Sequence, residues 1–215
     1  MEYDPNNWIP TKKYKTEIID MLNRDKDYLQ QKVDDSKQQL QYLKDINGQF
    51  DMYTESSEEG EHVAKQQITQ EFIKCHETWK EQCNETFHYD IAIKLINAHP
   101  DQTDKQPNRM LQSQLLLYHH QKQFLNVLFH ERIQEYHLKQ HQQHEKYLYY
   151  RSIIEVVQHN ENISGIKETE LKRISKSHAD NHYSIYNQAK DMCQMYECAL
   201  TMVNAFECPD QYYNI

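Results

Sequence analysis

Cysteine and histidine carry most of the reactive chemistry available to this chain, and both recur at regular spacings. Of its five cysteines, Cys75 and Cys83 lie eight residues apart, Cys198 and Cys208 ten apart, and Cys193 about one helical turn before Cys198. On two antiparallel helices Cys75 could meet Cys208, and Cys83 could meet Cys198. The helical rises between the members, about 12 Å and about 15 Å, leave a mismatch of about 3 Å, which the helix end at Pro209 could absorb. Such bonds need Cα atoms roughly 4.4–6.8 Å apart. Equally, Cys75 and Cys83 stand in an apolar row with Phe72, Trp79 and Phe87, where a cysteine is an ordinary small core residue. Among the thirteen histidines, His137, His141 and His144 share one helix face. Zinc accepts imidazoles so placed, but Gln140, Gln142 and Gln143 make this a hydrated face. Glu85-x-x-His88 and Glu59-x-x-His62 match half of a di-iron motif, yet both fall on or beside one helix. No Gly-x-Ser-x-Gly turn or glycine-rich phosphate loop occurs. The expectation is therefore no catalytic residue, no metal and no cofactor. A helical-bundle metalloprotein using Glu85, His88 and the His137 face ranks only third among the readings.

The elements that must position these residues are marked by glycine and proline, the residues a helix interior tolerates worst. Pro5, Pro10, Gly48, Gly60, Pro100, Pro107, Gly165 and Pro209 punctuate the chain. They predict an N-terminal extension (1–10), four helices (about 11–47, 58–98, 109–158 and 166–207) and a tail (209–215). The first helix shows Ile18, Leu22, Leu29, Val33, Leu40 and Leu43 in a narrow stripe of the coiled-coil kind, interrupted at Asp25 and Ser36. The second carries a bulkier row: Ile68, Phe72, Cys75, Trp79, Cys83, Phe87, Ile91 and Leu95. The third places Leu125, Phe129, Ile133, Tyr136, Tyr147, Tyr150, Ile154 and Val157 on one face. The fourth shows Leu171, Ile174, His178, Ile185, Ala189, Met192, Tyr196, Ala199, Val203 and Phe206. Short connections favour antiparallel neighbours. The fold class is all-α, with four long helices in an elongated bundle or two antiparallel coiled-coil hairpins. No internal sequence repeat is evident, which disfavours a fixed-period solenoid.

The Cys198-x9-Cys208 spacing resembles that of the coiled-coil-helix–coiled-coil-helix proteins, with Cys75-x7-Cys83 as the accompanying pair. The resemblance implies import into the mitochondrial intermembrane space without a cleaved presequence, oxidation of the cysteines there, and a role as an accessory subunit or assembly factor of a respiratory complex.

Composition agrees with a non-enzymatic helical protein. The hydrophobic share is 38 % and the mean hydropathy is -1.01, so each helix can bury only a stripe. A net charge of -9, with no basic cluster, argues against nucleic-acid binding. No stretch approaches the ~18 apolar residues of a membrane span. Sixteen tyrosines are present. Tyr147, Tyr149 and Tyr150 surround one turn and cannot all enter one narrow core, while Trp8, Tyr212 and Tyr213 sit near the ends, which points to contact with protein partners. The leading expectation is a non-catalytic structural subunit of a large assembly, a mitochondrial respiratory-chain or inner-membrane complex, facing the intermembrane space. The alternative is a coiled-coil component of the cytoskeleton, associated with microtubules or cilia, with reduced cysteines.

Overall fold

A computed structural model describes residues 10–53, 59–101, 117–159 and 165–206. The described residues form four helices: α1 (Lys12–Tyr53), α2 (Glu59–Ala98), α3 (His119–His159) and α4 (Ile166–Asn204). No strand occurs among the described residues. The chain divides into two compact units, Met1–Leu116 and Leu117–Ile215. α1 packs on α2 in the first, and α3 on α4 in the second. The protein is all-α, built as two hairpins.

In the first hairpin the cross-helix bonds run antiparallel. Lys15 on α1 reaches Asn97 and His99, Lys26 pairs with Asp90 at 3.0 Å, and Ser36 donates to Gln82 at 2.9 Å. The seam follows a seven-residue step. Leu22, Leu29 and Leu43 on α1 are buried, as are Cys75, Tyr89 and Ile96 on α2. Ser36 and Gln82 fill the two remaining positions of those heptads with a matched polar pair. Such a pair costs little when both partners are satisfied, and it holds register. The expected α2 row is corrected here. Phe87 is 53 % exposed, whereas His88 and Tyr89 are buried. A row taken every four residues turns by about 40° per step. It therefore leaves the seam by Phe87, while the seven-residue row stays on it.

Helix ends explain three further corrections. Thr11 caps α1, its Oγ1 accepting the Tyr14 amide at 3.1 Å. α1 then runs straight through Gly48, which does not end it; Gly60 likewise lies inside the first turn of α2. A solvent-facing glycine such as Gly48 costs a helix only about 1 kcal/mol relative to alanine, less than a long helix recovers from its packed stripe. The third helix begins at His119, not near Arg109: Leu117 and Tyr118 are non-helical, and residues 109–116 lie outside the described set. Gln121 reaches back to accept the Tyr118 amide at 3.2 Å, the reciprocal half of a capping box. Gly165 precedes α4 with φ 75°, a left-handed conformation that favours glycine.

The expectation of no internal repeat is also corrected. Lys122 Nζ donates to the carbonyls of Asn204 (3.1 Å) and Phe206 (2.7 Å), and Lys15 Nζ donates to those of Asn97 (2.8 Å) and His99 (2.6 Å). Lys15 and Lys122 stand 107 residues apart, as do Asn97 and Asn204, and His99 and Phe206. At the same step Ile18, Met21 and Leu22 correspond to Leu125, Leu128 and Phe129. Tyr89, Ala92, Leu95 and Ile96 correspond to Tyr196, Ala199, Met202 and Val203, and every one of these is buried. The two hairpins are one unit used twice. Identity survives mainly at the end where each hairpin's first and last turns meet, and it is sparse elsewhere.

Candidate functional site

The second hairpin departs from the first in the middle of its seam, where aliphatic positions give way to rings. Tyr150 stacks on both His178 and His182, with centroids 4.8 Å and 5.5 Å apart. Tyr147 packs on Tyr183, His144 on Tyr186, and Tyr136 on Tyr196. His182 Nδ1 lies 2.7 Å from Gln143 Oε1. That oxygen can only accept, so Nδ1 carries a proton. Burial, together with the Lys146 ammonium and His178, holds the His182 imidazole below the ordinary histidine pKa.

Among the described residues, one group of three side chains with metal-ligating atoms converges to within 4.8 Å: His137, Cys193 and Glu197. α4 supplies Cys193 and Glu197 one turn apart, and α3 supplies His137 from across the seam. Cys193 Sγ lies 3.4 Å from His137 Nε2 and 3.8 Å from Glu197 Oε1, and His137 Nε2 lies 4.0 Å from the same carboxylate oxygen. Cys193 is buried, whereas the other two side chains are about half exposed. Burial, reinforced by the Glu197 carboxylate, pushes the Cys193 thiol up to about 11. Without a cation nearby the thiol keeps its proton and serves as a weak donor to its neighbours.

The structure separates the histidines that sequence spacing groups together. His137 faces α4, His141 stays on the exposed surface beside Glu145, and His144 stacks with tyrosines. Cys193, a cysteine outside both C-x-C pairs, is the residue that spacing overlooks. One signal could have found it: Cys193 and Glu197 are i, i+4 on the face that must meet His137. Glu85 and His88 gather no third ligand among the described residues. His88 is buried, with Nδ1 2.7 Å from the Asn84 carbonyl of its own helix.

Of the cysteines proposed for pairing, Cys75 and Cys198 are buried and Cys83 is half-buried, and no disulfide joins Cys75, Cys83 or Cys193 among the described residues. Cys208 lies outside the described residues. Cys75 Sγ reaches the Ser36 carbonyl at 3.5 Å, and its pKa is raised by burial and by Glu71. The tyrosine trio divides. Tyr147 and Tyr150 turn into the seam, and Tyr149 points outward at 62 % exposure. Trp8, Tyr212 and Tyr213 lie outside the described residues.

Tyr149 belongs to a larger feature. Val127, Leu138, Tyr149 and Val156 are 58–62 % exposed and recur at steps of eleven, eleven and seven. At 100° per residue they fall within about 40° of one another, and roughly 140° away from the face that α3 buries against α4. Glu131, Gln134, Gln142 and Glu145 stand between them on the same face, so α3 carries four spaced apolar residues on the side turned away from α4. No helix among the described residues is long and apolar enough to cross a membrane. Comparison with protein-family models, curated proteins and solved structures gives no match.

Proposed function

We propose that this chain is a non-catalytic helical scaffold, an accessory subunit that packs against other proteins in a larger assembly. The outward row of exposed apolar residues on α3 carries the reading. Single exposed apolar residues are normal on any surface, but four aligned on the side of α3 turned away from α4 offer a partner a row of apolar anchors between polar residues. The duplicated hairpin supports the same role, because two copies of one unit supply separate faces on a single chain. The Cys198-x9-Cys208 spacing supports a place in the mitochondrial intermembrane space, at the periphery of a respiratory-chain or inner-membrane complex. The long helices, each with only a narrow apolar share, support the second reading, a cytoskeletal component.

The test expresses the chain in its native cells with Leu138→Glu and Tyr149→Glu together, and follows it by native electrophoresis. The wild-type chain is expected to migrate with a large complex and the variant to be released from it, with helicity and urea midpoint unchanged. A variant that remains fully incorporated would sink this row as the contact surface. Thiol trapping at lysis, followed by mass spectrometry, separates the compartments. Disulfides Cys75–Cys208 and Cys83–Cys198 favour the intermembrane space, and five free thiols favour the cytoskeletal reading.

A further inference from the structure

His137, Cys193 and Glu197 bring one nitrogen, one sulfur and one oxygen to a common point between α3 and α4. Around zinc, metal–ligand bonds of about 2.0–2.3 Å arranged tetrahedrally set the ligand atoms about 3.3–3.6 Å apart. The His137–Cys193 separation of 3.4 Å already lies in that range. The other two, 3.8 Å and 4.0 Å, exceed it by a few tenths of an ångström. The half-exposed His137 and Glu197 side chains can supply that closure without moving either helix.

The first hairpin is an internal control. At the 107-residue step the counterparts of His137, Cys193 and Glu197 are Gln30, Thr86 and Asp90. The acidic position is kept, but there it pairs with the ammonium of Lys26 at 3.0 Å. The counterpart of Lys26 in the second hairpin is Ile133, which brings no charge. Where the first hairpin gives its seam carboxylate a lysine, the second surrounds it with an imidazole and a thiol, both of which are metal ligands.

We infer that His137, Cys193 and Glu197 form a three-ligand site for a thiophilic divalent metal of the zinc class, clipping α3 to α4 with a fourth coordination position open to water or to a partner's side chain. The donor set makes the class specific. Magnesium and calcium take oxygen ligands, whereas a thiolate with an imidazole suits zinc and its neighbours. On binding, the Cys193 thiol releases its proton to solvent, and the thiolate, the neutral imidazole and the carboxylate donate to the ion.

Cobalt(II) is the probe, because a thiolate ligand gives it a sulfur-to-metal charge-transfer band and a tetrahedral site gives it intense visible absorption. The reduced full-length protein is titrated with cobalt and then with zinc. The expected result is stoichiometric binding with both spectral features, displacement by zinc, and loss of the charge-transfer band in Cys193→Ser. His137→Gln and Glu197→Gln should each weaken zinc by at least about tenfold, the loss that removal of even an outer-shell partner typically causes, while His141→Gln leaves it unchanged. His137 and Glu197 are half exposed, so their variants decide the matter even where Cys193→Ser folds poorly. The inference is overturned if no thiolate band forms, if the band survives Cys193→Ser, or if His137→Gln binds zinc as tightly as the wild type. The three residues would then be a hydrogen-bonded cluster and nothing more.

Discussion

Replacing Lys122 with methionine removes an ammonium and leaves the length and apolar character of its stem. In the folded chain that ammonium donates to two carbonyls at the end of α4, Asn204 at 3.1 Å and Phe206 at 2.7 Å. Both carbonyls belong to the last turn of a helix or the residues just beyond it, which lack intrahelical donors. The negative end of the helix dipole lies at the same place. A hydrogen bond involving a charged group contributes about 1.5–3 kcal/mol net when well sheltered, and the dipole adds about 0.3–1 kcal/mol at an exposed end. Lys122 is half-buried, so solvent takes over part of both contributions when the ammonium goes. A loss of about 2 kcal/mol follows for the pair of bonds. Urea unfolding followed by circular dichroism is the assay, with the midpoint falling and the slope unchanged. Lys15→Met should behave in the same way, since its ammonium holds Asn97 and His99 at 2.8 Å and 2.6 Å. The two variants share no partner, so their losses should add to within about 0.5 kcal/mol. A change below about 0.5 kcal/mol for either, the ordinary scatter of surface substitutions, would refute the reasoning: water would then serve these carbonyls as well as the lysine does, and the repeated lysine would not be a repeated clasp.

Two other outcomes follow from burial. His99 is buried, and desolvation holds its imidazole below the ordinary histidine pKa; the Pro100 carbonyl opposes this and the Lys15 ammonium adds to it. The unfolded chain therefore takes up this proton at about pH 6.5, before the folded chain does. The contribution of His99 is intact above about pH 6.5 and is lost as pH falls through the lower folded value. His99→Phe, which installs the residue found at the equivalent position 206, should flatten the pH dependence of the urea midpoint, and an unchanged slope would show that another group titrates. Timed alkylation of the reduced protein should label Cys83 before Cys75, Cys193 and Cys198, because those three are buried and Cys83 is only half so. Peptide mapping that finds Cys193 labelled first would contradict its place in the seam.

Much of the architecture was legible without coordinates. The apolar stripe of α1 from Ile18 to Leu43 lies where its spacing put it, and proline and cap chemistry set the outer ends of the first hairpin, at Thr11 and at Pro100. Helix formation is a local matter, decided by propensity, periodicity and the few residues that break it. The errors also have local causes. Gly48 reads as a break because its intrinsic cost is visible in sequence and the packing that offsets it is not. Phe87 reads as core because the four-residue row looks continuous on paper, whereas a helix with one partner keeps only a seven-residue row against it.

The sequence by itself determined that the chain is helical, that its helices are long and thinly apolar, and that its rings and thiols stand at helical spacings. Which stripe meets which partner, and which meets none, was decided only by the tertiary structure. Pairing depends on contacts between residues far apart in the chain, and no local pattern encodes them. Folding into two like hairpins exposed the repeat, since a shared lysine clasp and seven buried positions can persist where most identities have gone. The same pairing turned His137 away from His141 and His144 and onto Cys193 and Glu197. A ligand set assembled across two helices has no spacing of its own to be read.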